Sequence, residues 1–393
     1  MSIEVRPLGV ACNIRCKYCY QNPQRDAGGS TRHYDLALIK SMIAKRNRAF
    51  TLFGGEPLLL PIEDLEELWS WGFEKFKKNS LQTNGTLITD RHIDLFKKYN
   101  VGVGISIDGP DELNDVRWAG SPEATRRATT KTEAAIRKLI SEKIEPGLII
   151  TLHRLNAAPA KLQRLTEWIG QLDEIGVRSV RLHILEVENV KIRQLYTLTD
   201  EENIGAFVYL WRAQKQFKRL RFDVFREMKA LLRGEDDSGT CIWHACDPYT
   251  TEAVQGIEGL GQQSNCGRTN KDGVDYVKAD RAGFERYLAL YRTDQKEGGC
   301  RDCRYFLMCK GQCPGTAING DWRNRSEHCG VWKKLFSIME AQALKKGDSS
   351  LINDGERRQM EQQLIAAWKM GQNPRISELL ARIRQPETSE AVV

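Results

Sequence analysis

Val5-Arg6-Pro7-Leu8-Gly9-Val10-Ala11-Cys12-Asn13-Ile14-Arg15-Cys16-Lys17-Tyr18-Cys19 runs from a short apolar stretch straight into three cysteines. Val5 to Val10 reads as a strand, and the C-x3-C-x2-C spacing after it places three thiols on the loop that leaves the strand. Three thiolates this close can share one inorganic cluster, and a four-iron cube with only three protein ligands leaves one iron open to a further molecule. A structural zinc ion would need a fourth ligand, and His33 is the nearest histidine.

Outward from this stretch, short apolar runs alternate with longer helical patterns. Ala49 to Phe53, Ser80 to Thr83, Val101 to Ile107, Gly147 to Leu152 and Ser179 to Leu185 read as strands. Asp35 to Lys45, Ile62 to Lys78, Asp90 to Tyr99, Glu123 to Lys143 and Pro159 to Ile175 carry apolar residues at helical spacing, several behind Pro, Asp or Ser. Serial βα units predict an α/β domain with a parallel sheet and right-handed crossovers, either open and doubly wound or a partial barrel. Either way, chemistry collects at the C-terminal ends of the strands.

Lys218 to Arg233 alternates basic and apolar residues as an amphipathic helix does. From about Gly234 the chain turns Cys- and Gly-rich as far as Cys329. Trp332 to Lys346, Glu356 to Met370 and Pro374 to Arg384 then read as three amphipathic helices, with a polar tail after Gln385. The expected division is 1–225, 226–334 and 335–393.

Composition narrows the class. With 41 % hydrophobic and 28 % charged residues, the 393-residue chain is neither disordered nor a small disulfide-stapled scaffold. No run of about 18 apolar residues offers a membrane span. The N-terminus lacks a signal peptide, so a cytoplasmic location is expected and the eleven cysteines need an explanation other than secretion. Fifty-nine basic against 52 acidic residues leave +7, but the basic residues are dispersed, which argues against a nucleic-acid partner.

With Tyr18 just before the third cysteine, the loop of Cys12, Cys16 and Cys19 resembles that of the radical S-adenosylmethionine (SAM) enzymes. Gly54-Gly55-Glu56-Pro57 at the end of the second strand resembles that family's GGEP turn, which holds the methionyl amino group of SAM. Asn84, Ser106, Asp108 and Arg117 fall at similar family positions, although Asn84-Gly85 and Asp108-Gly109 read equally as simple turns. The resemblance implies a partial (β/α)6 TIM-like barrel and a [4Fe–4S] cluster whose open iron chelates SAM. One electron delivered to the sulfonium then gives a 5′-deoxyadenosyl radical that abstracts a substrate hydrogen.

The other eight cysteines are Cys241, Cys246, Cys266, Cys300, Cys303, Cys309, Cys313 and Cys329. From Cys246 onward they resemble the seven-cysteine pattern of the SPASM domain, with Cys241 as an extra ligand. By that resemblance one auxiliary [4Fe–4S] cluster takes Cys241, Cys246, Cys266 and Cys313, and the other takes Cys300, Cys303, Cys309 and Cys329. That makes three clusters in all. Complete ligation leaves the auxiliary pair to electron transfer, whereas read by themselves the paired cysteines fit structural zinc. His244 stands by as a substitute ligand, and Trp243, Trp322 and Trp332 as cluster shields; Trp69, Trp71 and Trp168 read as core or helix packing.

The implied substrate is a ribosomally made precursor peptide, and the leading reading is oxidative formation of a carbon–carbon, ether or thioether cross-link. Epimerisation, backbone excision, formylglycine formation and small-molecule dehydrogenation are the alternatives. Outside the family, a zinc-binding adaptor or an iron–sulfur electron carrier would use the same cysteines. Anaerobic sulfatase maturases share the architecture but carry an aspartate base after the cysteine equivalent to Cys266, where this chain has Gly267. An external donor of flavodoxin or ferredoxin type is expected. Only eleven residues precede Cys12, so leader recognition is expected from a separate protein, the core, or the C-terminal helices with Lys345, Lys346, Arg357, Arg358, Arg382 and Arg384; a solvated basic face is the plainer meaning of those residues. His183, Glu186 and Glu188, at the end of the sixth strand, are candidate acids, bases or substrate ligands, or simply polar groups at a barrel rim.

Overall fold

The computed structural model describes residues 3–29, 33–251, 255–269, 279 and 283–385. The chain forms two compact units, Met1–Val224 with Val254–Tyr276, and Phe225–Ala253 with Val277–Val393. Residues 255–269, which fall within the span expected for the cysteine-rich domain, belong with the first unit.

The first unit is built on strands β1 (Ile3–Arg6), β2 (Phe50–Leu52), β3 (Asn79–Thr83), β4 (Val101–Ser106), β5 (Gly147–Leu152), β6 (Ser179–Ile184), β7 (Arg221–Phe222), β8 (Gln255–Glu258) and β9 (Gln263–Asn265). Their order in the sheet is β7-β6-β5-β4-β3-β2-β1-β8-β9. Neighbours from β1 to β7 are parallel, β8 runs parallel to β1, and β9 returns antiparallel. This is the partial (β/α)6 barrel, with β7 on one edge and a hairpin on the other.

Five of the six expected strands lie within a residue of their expected bounds. The first ends early, because Pro7 has no N–H for the ladder and the Gly9 N–H folds back to the Arg6 carbonyl. The ladder between β5 and β6 is the longest, from Gly147 opposite Ser179 to Leu152 opposite Ile184. Its alternate residues Leu148, Ile150, Leu152, Val180, Leu182 and Ile184 are buried, as are Trp69, Ile136 and Trp168 of helices Ile62–Phe76, Pro122–Ser141 and Leu162–Ile175.

The hairpin of β8 and β9 turns through Gly261 at φ +78 and carries few β-forming residues. A buried polar network holds it instead. Glu4 pairs with Gly256 and Arg6 with Glu258 in register, while Arg6 reaches the Glu258 carboxylate at 2.5 Å and Ser264 Oγ at 2.5 Å. Each partner satisfies the other's charge away from water, so removing one leaves a costly uncompensated group.

In the second unit, helices Cys329–Lys345, Asp354–Lys369 and Ile376–Arg384 match the three expected at the C-terminus. Trp368 stacks on Phe284 at 5.9 Å between ring centroids and meets Phe306 edge-on. The polar tail after Gln385 lies outside the described residues.

Candidate active site

Cys12, Cys16 and Cys19 follow β1 on a loop fastened at both sides. The Arg15 and Lys17 N–H groups donate to the Trp118 and Val116 carbonyls at 2.7 and 2.8 Å, and the Cys19 N–H donates to the Cys16 carbonyl. Beneath it, the Glu56 N–H donates to the Ala11 carbonyl at 2.8 Å. Gly55 is required by this approach, because a Cβ there would stand 1.9 Å from the Ala11 oxygen. Gly54 sits at φ +114, a conformation open to glycine.

The thiols suit a cluster. Burial pushes Cys16 up to about 12, and the neighbouring Cys19 and Cys12 add to the rise while Arg117 opposes it. Three mutually repelling, partly buried thiols become favourable thiolates when metal ions stand between them.

The residues expected to contact SAM prove to be interlocked. Tyr18 donates to Asp108 Oδ2 at 2.5 Å and receives Arg117 Nη1 at 3.1 Å, and Asp108 Oδ1 accepts from the Thr151 N–H at 2.9 Å. His153 Nε2 lies 3.5 Å from the same carboxylate. Burial alone would raise Asp108, but His153, Arg117 and Tyr18 outweigh it and hold the carboxyl below its ordinary value. Asp108 is fully buried and holds the Tyr18 hydroxyl, which in turn receives Arg117. Ser106 Oγ accepts from Gln82 Nε2 at 2.9 Å.

Glu56 is likewise turned inward. Its carboxylate accepts from the Asn84 N–H at 2.8 Å, Thr83 Oγ1 at 2.7 Å and the Leu58 N–H at 3.0 Å, filling three of about four acceptor positions. It therefore ties the end of β2 to the end of β3. Asn84 Nδ2 in turn donates to Asn13 Oδ1 at 2.8 Å and lies 3.9 Å from Cys12 Sγ.

Beside the cysteine loop opens a cavity of about 470 Å³, whose walls include Cys19, Tyr20, Lys17, Glu186 and Glu188. That volume suits a side chain or two of a larger substrate. His183, in β6, receives Arg268 Nη2 on Nδ1 at 2.8 Å, and the same nitrogen of Arg268 lies 3.1 Å from Glu186 Oε2. A guanidinium only donates, so Nδ1 is unprotonated and His183 is neutral with its proton on Nε2. Burial, then Arg268 and Arg181, hold its pKa well below the usual value.

Arg268 escaped the sequence reading: a lone arginine two residues after Cys266 carries no pattern, and only the hairpin's return to the sheet brings it to His183. Tyr20 also escaped, although an aromatic directly after the third cysteine was its visible signal. The ideal Cβ of Gly267 would stand 2.8 Å from the Tyr20 ring and 3.1 Å from Arg6 Nη1.

In the second unit, Cys300, Cys303, Cys309 and Cys329 line one enclosed cavity walled by Tyr305, Phe306 and Phe336. Burial pushes Cys300 up to about 12, with Cys303 and Cys329 adding to it, and Cys309 is raised by burial and by all three partners. The four thiols therefore form one electrostatic group. Among the described residues no three His, Cys, Asp or Glu side chains meet closely enough to hold a single ion; these four surround a space instead. Cys241, Cys246 and Cys313 belong to the second unit and Cys266 to the first.

Trp243 is fully buried, edge-on to Trp332 at 5.7 Å and to Phe336 at 5.5 Å, whereas Trp322 packs on Tyr249. The nitrogen Nε2 of His244 is engaged with the Gly239 carbonyl at 2.9 Å, which removes it as a spare ligand through that atom. Of the C-terminal basic residues, Arg357 is paired with Glu361 and Arg384 with Glu356, both at 2.7 Å, so these two offer little charge to an acidic peptide.

Residues 7–184, from the cysteine loop through β6, match the radical SAM superfamily. The chain belongs to the radical SAM superfamily. A serine-type anaerobic sulfatase-maturating enzyme of Klebsiella aerogenes is 27 % identical over 361 residues, 85 % of this chain and 84 % of the relative. An uncharacterized protein of Archaeoglobus fulgidus is 33 % identical over 358 residues, covering 86 % of this chain and 80 % of the other. Among solved structures, native anSMEcpe with bound AdoMet and Kp18Cys peptide superposes with a TM-score of 0.66 at 19 % identity, over 88 % of this chain and 98 % of that one. Radical SAM enzymes use a [4Fe–4S] cluster and SAM, and relatedness that extends through the cysteine-rich region supports the two auxiliary clusters. Among the described residues no helix is long and apolar enough to cross a membrane.

Proposed function

We propose that this radical SAM enzyme oxidises a side chain of a peptide, removing two hydrogens, and that the oxidation forms a cross-link. The observation that carries the reading is the single cavity shared by Cys19 of the cluster loop and the carboxylates Glu186 and Glu188. In this reading Cys12, Cys16 and Cys19 hold the SAM-binding cluster, and Tyr18, Gly54, Gly55, Glu56, Pro57, Asn84, Ser106, Asp108 and Arg117 form or brace the SAM pocket. Cys300, Cys303, Cys309 and Cys329 hold one auxiliary cluster; the other is assigned to Cys241, Cys246, Cys266 and Cys313 by their resemblance to the SPASM pattern.

When bound, these groups supply hydrogen-atom removal from the substrate and uptake of a second electron. The chain's own residues do the rest. Glu186, paired with Arg268, and Glu188 at the rim accept the proton that leaves with the second electron. Neutral His183 cannot repel an incoming cation and keeps Arg268 in place. Lys17, over the Trp118 ring at 4.7 Å, offers a cation to peptide carbonyls. An electron donor of flavodoxin or ferredoxin type and a separate leader-binding protein remain part of the proposal.

A second reading is formylglycine formation, favoured by the name of the Klebsiella relative. Against it, Tyr20 and Arg6 crowd position 267, where the maturases carry their aspartate. The deciding experiment incubates the reconstituted enzyme, SAM and reductant with small peptides encoded beside its gene and with a sulfatase-derived peptide. A neighbouring peptide lighter by two hydrogens, with no aldehyde, supports cross-linking. Aldehyde on the sulfatase peptide overturns it in favour of the second reading.

A further inference from the structure

Two buried donors on the wall of the four-cysteine cavity have nothing to donate to. Gln312 Nε2 and Arg325 Nε lack any hydrogen-bond partner, and both residues line the cavity formed with Cys300, Cys303, Cys309 and Cys329. An orphaned buried donor costs about 1–3 kcal/mol, and two of them on the wall of one thiol-lined cavity call for an acceptor inside it.

Both side chains are held there by the backbone. Arg325 Nη1 donates to the Gly299 carbonyl at 2.8 Å and to that of Gln295, which fixes the guanidinium, while Nε is left without a partner. Gln312 ends a left-handed turn in which Lys310, Gly311 and Gln312 have φ of 50, 74 and 63. Left-handed backbone costs about 1–2 kcal/mol at each non-glycine residue. The turn persists because the Gln312 N–H donates to the Cys309 carbonyl at 3.0 Å, and buried Lys310 Nζ donates to the Leu307 carbonyl at 2.9 Å beneath it. Strain is thus spent on placing an amide between Cys309 and Cys313.

We propose that Gln312 Nε2 and Arg325 Nε donate hydrogen bonds to sulfur atoms of the cluster held by Cys300, Cys303, Cys309 and Cys329, and raise its reduction potential. Reduction adds negative charge that spreads onto the sulfurs, so donors stabilise the reduced form more than the oxidised one. Arg325 adds its full positive charge to the same effect. The inference rests on the reading that these four cysteines hold a cluster.

The test uses the full chain, reconstituted anaerobically, as wild type and as Gln312→Leu, Arg325→Met, Arg325→Lys and a Cys300→Ala, Cys309→Ala double variant. Iron and sulfide are counted, and each cluster's midpoint is followed by electron paramagnetic resonance in a redox titration. The expected result is an unchanged iron content in Gln312→Leu with one cluster shifted to more negative potential. A tenfold change in the reduction equilibrium, which is ~59 mV for a one-electron couple, is the scale to look for. Arg325→Lys should recover part of the shift seen in Arg325→Met, since it returns the charge without Nε. Should Arg325→Met fail to fold for want of its carbonyl contacts, the near-isosteric Gln312→Leu decides alone. An unmoved midpoint in Gln312→Leu, with its cluster signal intact, overturns the inference. Full iron content in a folded Cys300→Ala, Cys309→Ala double variant, with every signal unchanged, overturns the cluster reading beneath it.

Discussion

Gly55 lies so close under Ala11 that a single added methyl group would reach within 1.9 Å of the Ala11 carbonyl oxygen. The turn after β2 and the cysteine loop after β1 are therefore one object, joined also by the Glu56 N–H bond to the same oxygen. Gly55→Ala must push the loop away. A loss of about 1–3 kcal/mol of stability is expected, as for overpacked sites, together with loss of the iron ligated by Cys12, Cys16 and Cys19. Urea unfolding and iron content, compared with Gly205→Ala, where a Cβ meets nothing and the backbone is unstrained, check it.

Tyr20 and Gly267 make a second such pair. Gly267→Ala should cost about 1–3 kcal/mol, and Tyr20→Ala in the same chain should recover part of that cost. Purely additive unfolding free energies in the double variant would show that the two do not touch.

Asp173 gives the fold a pH dependence remote from the cysteines. Its carboxylate accepts from the Lys218, Arg219 and Leu220 N–H groups at 2.5, 2.8 and 2.7 Å. Burial works to raise its pKa, but these three donors outweigh it and the value is lowered. A carboxyl depressed on folding contributes stability that is complete above its unfolded pKa of about 3.9 and is lost as pH falls through the lower folded value. Asp173→Asn should therefore cost about 1–3 kcal/mol near pH 7, with the gap to wild type closing below about pH 4. Unfolding midpoints of the apo chain across that range measure it.

The cavity carboxylates act on the substrate and not on SAM in this account. Glu186→Gln or Glu188→Gln should slow peptide modification by about 10²-fold or more, while 5′-deoxyadenosine still forms. Equal loss of both products would instead place the residue in SAM binding.

The parts of the fold that were legible are those that local chemistry specifies. β-branched runs marked the strands from β2 to β6, and Asp35 and Ser121 announced the helices they cap. β8 and β9, Gln-Gly-Ile-Glu and Gln-Ser-Asn, carry no such pattern, because buried Arg6, Glu258 and Ser264 define them only after the chain has returned from far away. The cysteines were legible for the same reason as the strands, through spacing. Glu56 and Asp108 were legible as positions, but not the neighbours that fill their lone pairs, since a motif shows which residue stands there and not what surrounds it. Arg268 and Gln312 had no signal at all: one depends on pairing with His183, the other on a left-handed turn.

The most direct test of the central claim is anaerobic reconstitution followed by iron and sulfide counting, then incubation with SAM and dithionite, beside a Cys16→Ala, Cys19→Ala variant. The account predicts about twelve irons per chain, as three four-iron clusters require, and 5′-deoxyadenosine that disappears in the variant. Zinc in place of iron, or fully loaded clusters that leave SAM intact, would contradict it.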